Sequence, residues 1–159
     1  GAWADFAVGV TGAAAALTGL LFVAVSINLQ RILTSPGLPS RALQTLVLFF
    51  TPLLVCVLLL VPGQSGRVLG VELLVLGGLV GVLLARLTQR PSRVDRASMA
   101  SLIIGRIVPS TVAVLGTIAA GISLAIDAGG GLMWIVPAVL AALMGGLTNV
   151  WVLLIEIQR

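Results

Sequence analysis

The sequence predicts an all-α fold: a polytopic transmembrane helical bundle of five spans, N-terminus outside and C-terminus inside. Three observations predict it. The 159 residues are 59% hydrophobic and only 9% charged, with a mean hydropathy of +1.22, whereas soluble domains carry about 25% charged residues. The apolar residues gather into five runs, each near the ~20 residues that a span needs. The arginines, finally, collect in alternate breaks between those runs. The whole chain, 1–159, reads as a single transmembrane domain with spans at about 6–33, 41–61, 67–87, 100–126 and 132–157.

The first run, Phe6–Leu33, carries no charge between Asp5 and Arg31. A helix rises about 1.5 Å per residue, so this run crosses a ~30 Å hydrocarbon core with length to spare. It lacks a basic start and is too long for a signal-peptide core. Small residues recur through its first half, and Ser26, Asn28, Gln30 and Arg31 cluster at its end. These features make it the span expected to sit centrally. Pro36, Gly37 and Pro39 stop it and turn the chain. The second run, 41–61, closes at Pro62-Gly63-Gln64-Ser65-Gly66. The third, 67–87, is the shortest, and Arg67 and Arg86 at its ends can snorkel to the interfaces. The break at 88–96 is the most charged segment of the chain. The fourth run, 100–126, ends at Asp127-Ala128-Gly129-Gly130-Gly131, and the fifth is 132–157.

Orientation follows from the arginines. Five spans place Arg31, Arg41, Arg86, Arg90, Arg93, Arg96 and Arg159 on one side and only Arg67 on the other. Positive residues stay inside, so the N-terminus is outside. Trp3 and Trp134 then fall at the outer interface and Trp151 near the inner one, where indole rings prefer to sit.

The net charge of +4 does not signal nucleic acid, because the arginines form no patch with aromatic residues. No His, Lys or Tyr occurs, which removes the usual metal ligands and most acid–base schemes. No cofactor and no enzymatic activity are expected. Cys56 lies mid-run and reads as a small buried hydrophobe.

The remaining polar residues are the candidate pore or packing positions. Glu72 sits about one turn into the third span, near Gln64 in the preceding break. An acid within a span is a functional candidate by default. It anchors the 62–67 turn, forms a ring in an oligomer at the mouth of a cation path, or serves as a protonatable site for proton coupling. Arg106, Ser110, Ala113, Thr117 and Ala120 share one face of the fourth span. Ala138, Ala142, Gly145, Asn149 and Glu156 share one face of the fifth. Arg106 and Glu156 fall at similar depth on antiparallel neighbours, so an ion pair is expected. Ser26 and Gln30 share a face, with Asn28 turned toward a neighbouring helix.

Small residues also recur at helical spacing, as Gly12/Ala16 and Ala15/Gly19 in the first span and Gly77/Gly81 in the third. Lipid tails are as apolar as leucine, so membrane helices associate by close packing at such positions. The number of these faces points to a homo-oligomer.

Several strings together, Trp3-Ala4-Asp5-Phe6, Gly12 through Leu29, Leu38-Pro39-Ser40-Arg41-Ala42, Leu60 through Ser65 and Leu69-Gly70-Val71-Glu72, resemble a family of small bacterial integral membrane proteins. Some of its members are labelled modulators of the membrane protease FtsH. The resemblance covers roughly the first half of the chain. It implies a bacterial inner-membrane location and marks Ser26, Asn28, Gln64 and Glu72 as signature positions without roles. Two functions are therefore expected. The first is a small oligomeric channel; the alternative is a non-enzymatic accessory subunit packed against a larger membrane complex such as a protease.

Overall fold

The computed structural model describes residues 1–35, 37–88 and 103–158, without the side chains of 104 and 156–158. It contains five helices long and apolar enough to cross a membrane, as the hydropathy requires. This is an all-α, multi-pass architecture suited to a lipid bilayer.

Helix α1, Ala2–Ile27, has Asp5 in its first turn, where a carboxylate complements the helix dipole. It ends earlier than the apolar run. Asn28 turns its Nδ2 back to the Ala24 carbonyl at 2.9 Å, and its backbone N–H reaches Val25. The chain then resumes as a short helix α2, Leu29–Thr34. The expectation that Asn28 bonds a neighbouring helix is thus corrected: a short amide reaches its own preceding turn more easily than a second backbone. Ser26 and Gln30 are both exposed.

Gly37, with φ 88°, takes the left-handed conformation that admits the turn into α3, Leu38–Leu59. Pro39 lies in the first turn of α3, where its missing N–H costs nothing. Helix α4, Gly66–Thr88, follows a turn in which Gly63 has φ 73°. A π-helical turn, Ile103–Ile107, leads into α5, Val108–Ala125. The connection to the last span is held by Ser123, whose hydroxyl donates to Ala128 O and accepts from Gly131 N at 2.7 Å. Trp134 Nε1 donates to Gly129 O at 2.8 Å. A 3-10 turn, Gly131–Trp134, then opens α6, Ile135–Gln158.

Helices α3, α4, α5 and α6 close a ring in which each packs on the next. One apolar cluster fills it toward the 60–65 turn, with Val55, Leu73, Ala120, Ile135 and Val139. A second lies toward the opposite end, with Leu48, Val80, Leu84, Ala113 and Ala142. The ring is tight because glycines let helices touch. A Cβ at Gly77 would lie 2.7 Å from Ile118, and one at Gly116 would lie 2.8 Å from Ala138 Cβ. The Gly77/Gly81 ladder is therefore used within the bundle, against α5.

The expectation that the first span sits centrally is overturned. Helix α1 packs mainly on α3 and barely touches α6. Only 17% of its span is buried, against 56% for α3. Its inward stripe is Ala7, Ala14, Thr18 and Leu21. Gly9, Gly12, Ala16 and Gly19 face outward, and the three glycines have no atom within 4 Å of an added Cβ. Small side chains let a neighbour come close, but they give a helix little bulk with which to fill a core.

Candidate functional site: a buried polar cluster

The polar stripe read on the fourth span turns into the ring. Ser110, Ala113, Thr117 and Ala120 are all buried, and Arg106 at the head of the stripe is 0% exposed. Burying a guanidinium in a spanning segment is costly unless it is hydrogen-bonded. The fold supplies those bonds from two other helices. Arg106 Nε donates to Gln44 Oε1 at 2.6 Å, and Arg106 Nη2 donates to the Leu87 carbonyl at 3.2 Å.

Leu87 lies in the last turn of α4. Carbonyls there lack an intrahelical donor and carry the negative end of the helix dipole. Arg106 therefore serves as a capping cation for a neighbouring helix. Gln44, itself 0% exposed, spends its Nε2 on Ser110 Oγ at 3.1 Å. The Ser110 hydroxyl donates to the Arg106 carbonyl at 2.7 Å. The four residues thus link α3, α4 and α5 at one end of the bundle.

The local backbone places Arg106. Pro109 lies in the first turn of α5 and offers no N–H to the turn before it. The chain passes this point as a five-residue π-turn holding Arg106. Such turns often occur where a side chain must be re-aimed. Arg41 is also buried at this end of α3, and Thr45 donates to its carbonyl at 2.8 Å.

The other sequence candidates separate. Glu72 is half-buried and accepts a hydrogen bond from Gln64 Nε2 across the 60–65 turn, so these two candidate residues do come together. Asn149 is wholly buried on the same face as Ala138, Ala142 and Gly145. The side chain of Glu156, and with it the expected pair with Arg106, lies outside the described residues, as do Arg90, Arg93, Arg96 and Arg159. No group of His, Cys, Asp or Glu suited to a metal ion occurs among the described residues. Gln44 and Arg41 went unrecognised in the sequence, although Gln44 is the one amide within the apolar run 42–61.

A groove of about 450 Å³ runs along the outside of the bundle between α4 and α5. Gly81, Leu84 and Ala85 form one side, Thr111 and Val114 the other, and Ser110 reaches its floor. Its walls are mostly apolar, as befits a surface that faces lipid.

Fold and site together define a multi-pass helical membrane protein whose polar residues are organised inward. Comparisons with family models, with known proteins and with solved structures return no match.

Proposed function

We propose that this chain is a non-enzymatic accessory subunit of a bacterial inner membrane, oriented N-terminus out, which works by docking α1 against further transmembrane helices. The observation that carries this reading is the outward seam of α1. Gly9, Gly12, Ala16 and Gly19 follow alternating steps of three and four, the spacing of a continuous helix-packing seam. They lie on the least buried span. Gly70, Gly77, Gly116, Gly121, Gly145 and Gly146 of the other spans make close contacts within the bundle, and an open row of small residues on α1 is surface suited to a close neighbour. Copies inserted in one membrane share one orientation, so the seam can meet itself at equal depth. A homo-oligomer is the first assembly this predicts, and a helix of a larger membrane complex is the second.

An oligomeric channel draws less support. Its axis would be lined by outward residues, and the outward faces of α3 to α6 are mostly apolar, with Arg67, Arg86, Thr111 and Thr148 as their exposed polar residues among the described ones. The exposed hydroxyls of Thr111 and Thr148 return to their own helix carbonyls, Ile107 and Met144, at 2.8 Å each. Glu72 is engaged by Gln64, and Arg106 by Gln44 and Leu87.

Gly12→Leu tests the docking seam. It should reduce the particle mass in nanodiscs, or abolish cross-linking between α1 helices, while the thermal midpoint of the protomer stays within about 2 °C, as for a surface change. Gly78→Leu, at an exposed glycine of α4 with no atom near its added Cβ, should leave both unchanged. A wild-type oligomer that keeps its mass in Gly12→Leu, co-purifies with no membrane partner and conducts ions in planar bilayers would overturn the accessory reading in favour of the channel.

A further inference from the structure

The groove between α4 and α5 lies at the arginine-bearing end of the bundle. The two helices run antiparallel and touch along their glycines, at Gly70 with Gly121, at Gly77 with Ile118 and at Gly81 with Val114. Beyond Gly81 they part, and Leu84, Ala85 and Thr88 face Ile107 and Thr111 across the gap. Gly81 to Thr88 covers about 10 Å of helix. Thr88 is the last residue of α4, so the groove opens where the helix ends and closes deeper in the membrane. Its length is about two-thirds of the ~15 Å hydrocarbon depth of one leaflet. At the deep end a Cβ at Gly81 would lie 3.0 Å from Val114 Cγ1. That taper suits a single hydrocarbon tail and is too narrow for a helix, which is about 10 Å across.

Shape alone does not discriminate among lipids. Their tails are all as apolar as leucine, so selectivity has to come from the headgroup. Charge at the mouth is one-sided. Arg86 lies in the last turn of α4, next in sequence to Ala85 of the groove wall, and is exposed. It is turned toward lipid and does not line the groove, so it flanks a headgroup seated over the mouth, and its long stem lets the guanidinium snorkel to that level. Arg31 is exposed at the same end. The acids with described side chains, Asp5, Glu72 and Asp127, all belong to the opposite end, at the starts of α1 and α4 and just after α5. We infer that the α4–α5 groove is a site for an anionic phospholipid, with one acyl chain between the helices and the phosphate beside Arg86. A zwitterionic lipid carries the same tails, but the cation of its own headgroup offsets the phosphate, and the attraction to arginine is weaker.

Photo-labelling tests the site in the full chain. The protein is placed in vesicles of equal parts phosphatidylglycerol and phosphatidylcholine, with a diazirine in the acyl chain of one lipid at a time. Phosphatidylglycerol should label Ala85, Thr111 and Val114 about fivefold more than phosphatidylcholine does, the preference that one arginine near the membrane surface can give. High salt should remove that preference, because it screens exposed charges. Arg86→Gln should bring the two lipids within about twofold of each other, with both still labelling the groove. Ala85→Trp, at an exposed position of the wall, should fill the groove and abolish labelling of Val114 by either lipid. Arg67→Gln, at the other end of α4, should leave the preference unchanged. Equal labelling by the two lipids in the unaltered protein overturns the proposal, as does a preference that survives Arg86→Gln. Absence of groove labelling by either lipid overturns it as well, and shows that another protein segment covers the groove.

Discussion

Gly121→Leu is expected to abolish the folded bundle. Helices α4 and α5 meet backbone to backbone where Gly70 faces Gly121. A Cβ at Gly121 would lie 2.8 Å from the Gly70 carbonyl oxygen, 2.9 Å from Leu74 Cγ and 3.0 Å from Leu74 N. A Cβ at Gly70 would lie 2.8 Å from both Ala125 N and the Gly121 carbonyl oxygen. Main-chain atoms cannot rotate aside as a side chain can, so the two helices must separate. In water a parted pair would still be driven together by the hydrophobic effect. In lipid that force is absent and close packing is what holds the helices. Gly121→Ala should cost about 1–3 kcal/mol as overpacking. The leucine exceeds that, because its remaining atoms have no room between Gly70 and Leu74. Thermal unfolding in detergent micelles, followed by helical circular dichroism, measures both. Gly78→Leu is the control, on α4 itself but facing outward, and should stay within about 0.5 kcal/mol of the unaltered protein. Equal effects at Gly121 and Gly78 would mean that the α4–α5 contact is not the one that holds the ring.

That contact also marks how far the sequence could be read. Five spans were legible because hydropathy is a property of windows, and averaging over about 20 residues suppresses local error. The inward face of α5 was legible as well, since Arg106, Ser110, Ala113, Thr117 and Ala120 recur at the helical period. Pairing was not. Gly70 and Gly121 belong to no short motif, and which two glycines meet depends on the crossing of two helices distant in sequence. The first span shows the same limit in another form. Its small residues leave room for a close neighbour, but nothing in a one-dimensional pattern says whether that face is turned toward the protein's own core. Length misled there too. Uncharged residues continue to Gln30, yet a single asparagine bonding back to Ala24 ends α1 at Ile27. Gln44 was missed because a lone amide in an apolar run has no periodicity of its own; its meaning lies in Arg106, which is 62 residues away in sequence.

The second large effect is expected at Arg106. Arg106→Leu removes the donor to Gln44 Oε1 and the donor to the Leu87 carbonyl, and both acceptors stay enclosed. Each buried acceptor left without its partner costs about 1–3 kcal/mol, so the variant should lose about 2–6 kcal/mol of stability. Arg106→Lys should recover little of it. An ammonium is a point donor on a flexible stem, and it cannot present the two separated N–H groups that reach α3 and α4 together. Gln44→Leu should be milder than either. It removes the same acceptor from Arg106 but leaves the guanidinium its bond to Leu87 and frees Ser110 Oγ, which still donates to the Arg106 carbonyl. The pair should be strongly coupled, with the double variant less damaged than the sum of the two single ones by about 1 kcal/mol or more. Arg67→Leu, at an exposed position in the first turn of α4, should stay within about 0.5 kcal/mol. The same variants separate structure from assembly. Loss of a cluster that ties α3, α4 and α5 together lowers the unfolding temperature of the protomer, whereas disruption of the proposed α1 seam is expected to lower particle mass instead. An Arg106→Leu protein as stable as the unaltered one would remove the clamp role. The buried guanidinium would then have to be explained by something that it binds.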